Sequence, residues 1–124
     1  MTLLLIALFG ALGCLLRYGL SGWVHGALGR GFPYGTLAVN AVGALLIGFV
    51  MELGLRSTLL APEVRTGLAI GLLGGLTTFS TFSYETWRLL EDGEVLLAAA
   101  NVLISVLSCL VLTWLGMAAA KSLT

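Results

Sequence analysis

Apolar stretches long enough to cross a membrane dominate this sequence of 124 residues. A spanning helix needs about 20 mostly apolar residues. Four such stretches fit: Leu3 to His25, Tyr34 to Leu55, Val64 to Leu89 and Val95 to Ala119. Short segments rich in turn-forming and charged residues separate them, at 29–33, 56–63 and 91–94. The sequence therefore predicts an all-α membrane protein in which residues 1–124 form a single unit of four antiparallel transmembrane helices.

The charge content supports a surface that faces lipid. Hydrophobic residues make up 59% of the chain and charged residues only 10%, with a mean hydropathy of +1.07. A soluble domain carries about 25% charged residues. Six basic residues balance six acidic ones, so the net charge is zero and no basic field exists to attract nucleic acid. We therefore expect membrane lipid, and no nucleic acid, as a partner.

The sequence lacks the motifs of an enzyme. It has no metal-ligand cluster, nucleophile–base pair or phosphate-binding loop. Cys14 and Cys109 lie inside apolar runs, at a spacing that fits neither a zinc site nor a redox pair. We interpret both cysteines as small packing residues.

An asparagine interrupts the second stretch, where LAVNAVG places Asn40 among apolar residues. An amide that faced lipid would be costly, so Asn40 must face protein or water. Either it makes a hydrogen bond between helices or it lines a pore as a donor or acceptor.

The third stretch contains a cluster of hydroxyl residues. Residues 76–83 read LTTFSTFS, in which five of eight are Ser or Thr, and they follow Gly74 and Gly75. Paired glycines before such a cluster predict a break near the middle of the third helix, which would free backbone carbonyls. Oxygens of this kind suit a small, hard cation. The alternative is a kinked helix whose hydroxyls bond back to its own carbonyls.

Phe79 and Phe82 lie three residues apart, and so nearly on one face if this part is helical. The edge of a phenyl ring carries a weak positive potential that can touch an anion without a formal charge. A pore needs such weak sites, because a bound ion must also leave. The alternative is that both rings are ordinary core.

Other polar residues have two interpretations each. One face of the fourth stretch carries Asn101, Ser105 and Ser108. This polar face either lines a water-filled path or forms hydrogen bonds with a neighbouring helix. Glu85 either lies in a water-filled vestibule or reaches solvent from a helix end. Arg17 either snorkels to the interface or draws anions to a pore mouth.

Basic residues give almost no bias in orientation. Three lie on the side of the termini (Arg56, Arg65 and Lys121) and two on the opposite side (Arg30 and Arg88). A chain with so little bias can insert both ways round. Because 124 residues are too few to surround a water-filled pore, we expect an oligomeric pore, and an antiparallel pair is possible.

Four pieces of the sequence resemble the Fluc/CrcB fluoride channels of bacteria and archaea. They are GALGCLLRY at 10–18, PYGTLAVNAVGALLIG at 33–48, GLLGGLTTFSTFSYE at 71–85, and the polar stripe of the fourth helix. The resemblance covers nearly the whole chain. It implies a fluoride-selective channel in the inner (plasma) membrane that exports fluoride passively. It also implies an antiparallel homodimer with two fluoride pathways along the subunit interface.

The resemblance further assigns roles to individual residues. A central, structural sodium ion would be held by the backbone carbonyls of Gly74 and Thr77. The other carried-over positions are the pore residues Asn40, Phe79 and Phe82, the polar-track and vestibule residues Ser80, Thr81 and Glu85, the fourth-helix serines Ser105 and Ser108, and Arg17 at an anion vestibule.

Two other protein classes fit four helices less well. A small multidrug-resistance-type exporter needs a carboxylate in its first helix, and the first stretch here has none. An assembly subunit without transport activity would have no use for the costly hydroxyl cluster at 76–83. Pairing with a second homologous chain in a heterodimer stays open.

Overall fold

The computed structural model describes all of residues 1–124, and every regular element is helical, as the composition predicts. The elements are α1 (Thr2–Leu28), α2 (Tyr34–Arg56), α3 (Pro62–Thr66), a π-helical segment (Gly67–Leu72), α4 (Leu73–Leu76), α5 (Phe79–Glu91) and α6 (Val95–Leu123). By length and composition, α1, α2 and α6 can each cross a membrane. The third predicted stretch corresponds to the divided region from α3 to α5, which we call the third segment (residues 62–91).

Helical hydrogen bonding in the third segment stops after α4. Thr77 (φ −93°, ψ 158°) and Thr78 (φ −152°, ψ 112°) both have extended backbone conformations. Thr78 then caps α5, because its Oγ1 accepts the Thr81 N–H at 3.1 Å. Threonine is a favoured residue at such a position, since its oxygen satisfies an amide that the new helix leaves unpaired.

Glycines let α1 lie directly against the third segment. A Cβ on Gly13 would overlap the Leu72 carbonyl oxygen, and one on Gly75 would lie 2.7 Å from the Gly10 carbonyl oxygen. Such contacts are possible only without side chains, and small residues allow this approach between membrane helices. These glycines therefore serve packing within one subunit. Gly74 differs, because no atom outside the third segment lies within 4 Å of the position that a Cβ would take there.

The outer surface of the subunit is strongly apolar. Leu3 is 82% exposed, Leu96 85% and Trp114 65%. The buried core is small and centres on Val39, Leu73 and other side chains between α2 and the third segment. Exposed side chains of this kind are stable next to lipid rather than water, so the fold needs a bilayer as its solvent.

Candidate functional site

A cavity of about 400 Å³ lies between α2, the third segment and α6. Its wall has no charged side chain, although it includes several polar groups. We call it the cleft. Six of the residues predicted for the site line it: Asn40, Gly74, Thr77, Phe79, Phe82 and Ser105. Residues from three separate stretches of sequence therefore meet at one place.

Asn40 bridges from α2 to the interruption in the third segment. The Thr78 N–H donates to Asn40 Oδ1 at 2.8 Å, and Asn40 Nδ2 donates to the Thr78 carbonyl at 3.1 Å. The hydrogen bond between helices, one of the two interpretations of Asn40, is thus present. The same side chain also lines the cleft, and its amide carries a second N–H beyond the one that Thr78 accepts.

Two backbone carbonyls at the interruption lose their helical donors. In a continuous α-helix the Gly74 carbonyl would accept the Thr78 N–H, and the Thr77 carbonyl would accept the Thr81 N–H. Here the first N–H donates to Asn40 and the second to Thr78 Oγ1. Gly74 and Thr77 both line the cleft. Their carbonyls are hard oxygen ligands of the type that a small cation prefers, so the donor set fits the predicted sodium ion.

Arg17 reaches the same interruption from α1. Its Nε donates to the Gly75 carbonyl at 3.0 Å. A carbonyl near the end of α4 thus gains a charged donor, which stabilises the helix end. Arg17 lines neither the cleft nor the smaller cavity that contains Glu85. Its predicted place at an anion vestibule stays a prediction.

Phe79 and Phe82 form a ring pair on the wall of the cleft. Their centroids lie 5.4 Å apart with an interplanar angle of 42°. Phe82 is only 8% exposed, whereas Phe79 is 77% exposed. The interpretation as ordinary core thus suits the burial of Phe82 but not that of Phe79, whose ring extends from the surface of the single subunit.

The other predicted hydroxyl residues lie beside the cleft rather than on its wall. Thr78 Oγ1 donates to Thr81 Oγ1 at 2.9 Å and lies 3.3 Å from Ser80 Oγ. Ser108 Oγ donates to the Ser105 carbonyl at 3.4 Å. In this subunit these groups bond to the chain's own oxygens, so their predicted contact with an anion stays a prediction.

The wall includes residues that the sequence reasoning missed, among them Cys109 and Gly43. The sequence alone favours a packing role for Cys109. It lies four residues after Ser105, one turn further along the same face of α6. That spacing is the signal that could have found it, and it favours Cys109 over Ser108 as the next residue along the cleft.

Glu85 lies at a second, smaller cavity of about 220 Å³ near one end of the bundle. Its other charged or titratable residues are His25, Arg30, Arg88 and Asp92. Glu85 Oε1 and His25 Nδ1 are buried atoms with no hydrogen-bond partner. A polar cavity of this size can hold water, which is compatible with the predicted vestibule.

A family model supports the resemblance that the motifs suggested. The model described as "CrcB-like protein, Camphor Resistance (CrcB)" matches residues 4–117. The chain belongs to the CrcB-like family. Most of α1 and all of the third segment lie inside the matched range.

Curated relatives agree along nearly the full length. The protein named "Fluoride-specific ion channel FluC" from Geotalea daltonii is 69% identical to this chain over 120 residues, which cover 97% of each chain. The protein of that name from Geobacter metallireducens is 68% identical over 123 residues, covering 99% of each chain. The name is that of an ion channel, which confirms that this CrcB-like chain is not an enzyme and is a multi-pass membrane protein.

Proposed function

We propose that this chain is a subunit of a fluoride-selective channel that lets fluoride leave the cell passively across the plasma membrane. The observation that carries the proposal is the cleft, whose mostly apolar wall includes amide and hydroxyl groups but no formal charge. Relatives of this chain from several bacteria carry the name of a fluoride-specific channel. The uncharged cleft and the name of these relatives together favour fluoride as the conducted ion.

The chemistry of the cleft suits a small anion that holds its water tightly. Such an ion enters a dry path only where donors replace its hydration shell. The second N–H of the Asn40 amide and the Thr113 hydroxyl can donate hydrogen bonds to such an ion. The hydroxyls of Thr77, Thr78 and Ser105 donate to the chain's own oxygens in the single subunit and would have to rotate to reach it. The ring edges of Phe79 and Phe82 add a weak positive potential. A lysine would hold the anion too firmly for conduction, and none lies on the wall.

The working unit in this proposal is an antiparallel homodimer. A cleft with amide and hydroxyl groups is costly next to lipid tails. A second copy of the chain would cover it and would also bury Phe79, which is 77% exposed in the single subunit. The near balance of basic residues on the two sides, three against two, allows copies to insert in both orientations.

A sodium ion at the centre of the dimer is part of the proposal. The carbonyls of Gly74 and Thr77 have lost their helical donors, and both residues lie at the interruption of the third segment. Gly74 is exposed and Thr77 half-buried in the single subunit. Once a second copy buries them, their carbonyls need a partner. A small, hard cation between two copies would satisfy such groups from both subunits.

Efflux from liposomes tests the proposed function. Purified protein in liposomes loaded with either fluoride or chloride should release fluoride rapidly and chloride hardly at all. Release should need a potassium ionophore to carry the compensating charge, because a passive channel moves net charge. Uphill fluoride movement driven by an imposed proton gradient would instead indicate a coupled transporter, such as an exporter of the small multidrug-resistance type.

A further inference from the structure

A chain of three hydrogen bonds joins α5 to α6 beside the cleft. Thr86 Oγ1 donates to the Phe82 carbonyl at 2.8 Å, and Asn101 Nδ2 donates to Thr86 Oγ1 at 3.0 Å. Ser105 Oγ then donates to Asn101 Oδ1 at 3.3 Å. The residues at the two ends, Phe82 and Ser105, both line the cleft. Asn101 at the centre is only 2% exposed.

The Phe82 carbonyl at one end of this network determines which group donates in each of the three hydrogen bonds. A carbonyl only accepts, so the single Thr86 hydroxyl proton must go to Phe82. Thr86 can then only accept from Asn101, which must present Nδ2 to Thr86 and hence Oδ1 to Ser105. The orientation of the amide follows from this network. Ser105 must therefore give its proton to Asn101, and its oxygen offers the cleft only lone pairs.

This orientation of the Ser105 hydroxyl disfavours anion binding, but the hydrogen bond to Asn101 that maintains it is weak. Lone pairs repel fluoride, and only the hydroxyl proton attracts it. The Ser105–Asn101 distance of 3.3 Å exceeds the usual range for a bond between a hydroxyl and an oxygen. The hydroxyl can rotate about its Cβ–Oγ bond without moving the backbone, so an arriving anion can compete for the proton.

We propose that Asn101 is a positioning residue that holds the Ser105 hydroxyl proton away from the cleft until an anion draws it in. Asn101 does not touch the ion. It weakens the binding at Ser105 by offering the proton another acceptor, which favours release and so conduction. The inference rests on the proposed function, because it assumes that fluoride passes Ser105.

The first test is a double-mutant cycle between Asn101 and Ser105, with fluoride efflux measured over a range of fluoride concentrations. Asn101→Leu removes the competing acceptor, so the half-saturating fluoride concentration should fall about three- to tenfold, the effect of one ordinary hydrogen bond. Ser105→Ala should raise it. In the Ser105→Ala background, Asn101→Leu should change nothing further. Additive effects of the two substitutions would overturn the inference.

A second variant keeps Asn101 but allows its side-chain amide to turn over, so that the positions of Oδ1 and Nδ2 are exchanged. Thr86→Val removes the hydroxyl that holds the amide, so Asn101 can turn its Nδ2 towards Ser105. Ser105 then accepts, and its proton is free for the cleft. The half-saturating concentration should fall here too, and an unchanged or raised value would contradict the proposal.

Ser83→Ala is the matched control. Ser83 Oγ donates to the Phe79 carbonyl at 3.0 Å, one turn back on the same helix, as Thr86 does to Phe82. It makes no hydrogen bond to Asn101, whose partners are Thr86 and Ser105, so its removal should leave the half-saturating concentration at the parent's value. A fall as large as that of Thr86→Val would count against the Asn101 route. Parent protein that carries no fluoride would overturn the proposed function as well, whereas parent flux with additive mutant effects overturns this inference alone.

Discussion

Asn40 and Thr78 exchange two hydrogen bonds, so an asparagine of α2 supplies both the acceptor and the donor that the interrupted third segment lacks. The Asn40 amide supplies the hydrogen-bond partners that neighbouring helical turns would otherwise give to Thr78. It holds the third segment in its broken form while it remains on the wall of the cleft. One residue thus links the shape of the third segment to the chemistry of the candidate ion path.

Asn40→Leu should therefore impair both folding and flux. The Thr78 N–H and carbonyl would lose their partners, at a cost of about 1–3 kcal/mol for each group left unsatisfied. We expect a lower midpoint in thermal or denaturant unfolding in detergent and little fluoride efflux from liposomes. Normal stability together with normal flux would show that the two hydrogen bonds matter neither for the fold nor for the path.

The two phenylalanines should respond differently to isoleucine. Phe82 is 8% exposed, so Phe82→Ile should lower stability by about 1–2 kcal/mol as well as reduce flux. Phe79 is 77% exposed in the single subunit, so Phe79→Ile should leave the subunit fold intact. It should still reduce flux greatly, because the aliphatic side chain lacks the positive ring edge. If both variants form dimers and conduct like the parent, the rings are ordinary packing groups.

Gly13→Ala should disturb the fold in a way that Gly22→Ala does not. A Cβ on Gly13 overlaps the Leu72 carbonyl oxygen, so α1 must move away from the third segment, at a cost of about 1–3 kcal/mol. Around Gly22 nothing lies within 4 Å, so alanine there should be neutral or slightly stabilising. Unfolding midpoints of the two variants in detergent make the comparison. Equal midpoints would contradict the close contact at Gly13.

The sequence was informative about the helices and less so about individual side chains. Hydropathy predicts α1, α2 and α6 well, because a long apolar run needs no knowledge of its neighbours. The α-helical periodicity groups Ser105 with Asn101 and Ser108, and the structure places Ser105 on the face of α6 that lines the cleft. Periodicity could not separate Ser108 from Cys109, which lie only one residue apart. That choice depends on how α6 is rotated against α5, and the rotation is set by packing such as the Asn101–Thr86 contact.

The sequence also could not predict how burial differs between residues of the same motif. Phe79 and Phe82 have the same side chain and lie one turn apart, yet their exposures differ by an order of magnitude. Phe79 is the first residue of α5, next to the interruption, whereas Phe82 lies one turn further into the helix. The motif predicts Ser80 and Thr81 on an anion track. In the subunit they lie by the Thr78 cap, which hydrophobic pattern alone cannot reveal.

Added lysines test the antiparallel assembly. Two or three lysines in the 56–63 loop should send all copies into the membrane in one orientation. If the dimer pairs opposite orientations, cells that make only this variant should lose fluoride resistance. Co-expression with a variant biased the other way should restore it. Full activity of the lysine variant alone, with a proven single orientation, would rule out antiparallel pairing.

Sodium removal tests the central cation. Protein purified entirely in a bulky organic cation should dissociate more easily or lose fluoride flux, because the Gly74 and Thr77 carbonyls would lack a partner. Adding sodium back should restore both properties, whereas potassium, which is larger, should restore them less. Dimer stability and flux that are independent of the cation throughout would show that these carbonyls need no ion.

The π-helical segment at Gly67–Leu72 acts as a one-residue phase shift in the third segment. A π-helical turn takes up an extra residue, so an ordinary helical wheel started at Pro62 is out of step by about 100° beyond Leu72. Deleting one residue within the segment would therefore turn the helix more than shorten it. With α4 and the interruption held in place by Asn40, the part that would swing is α3, and Arg65 would lose its hydrogen bond to the Gly54 carbonyl.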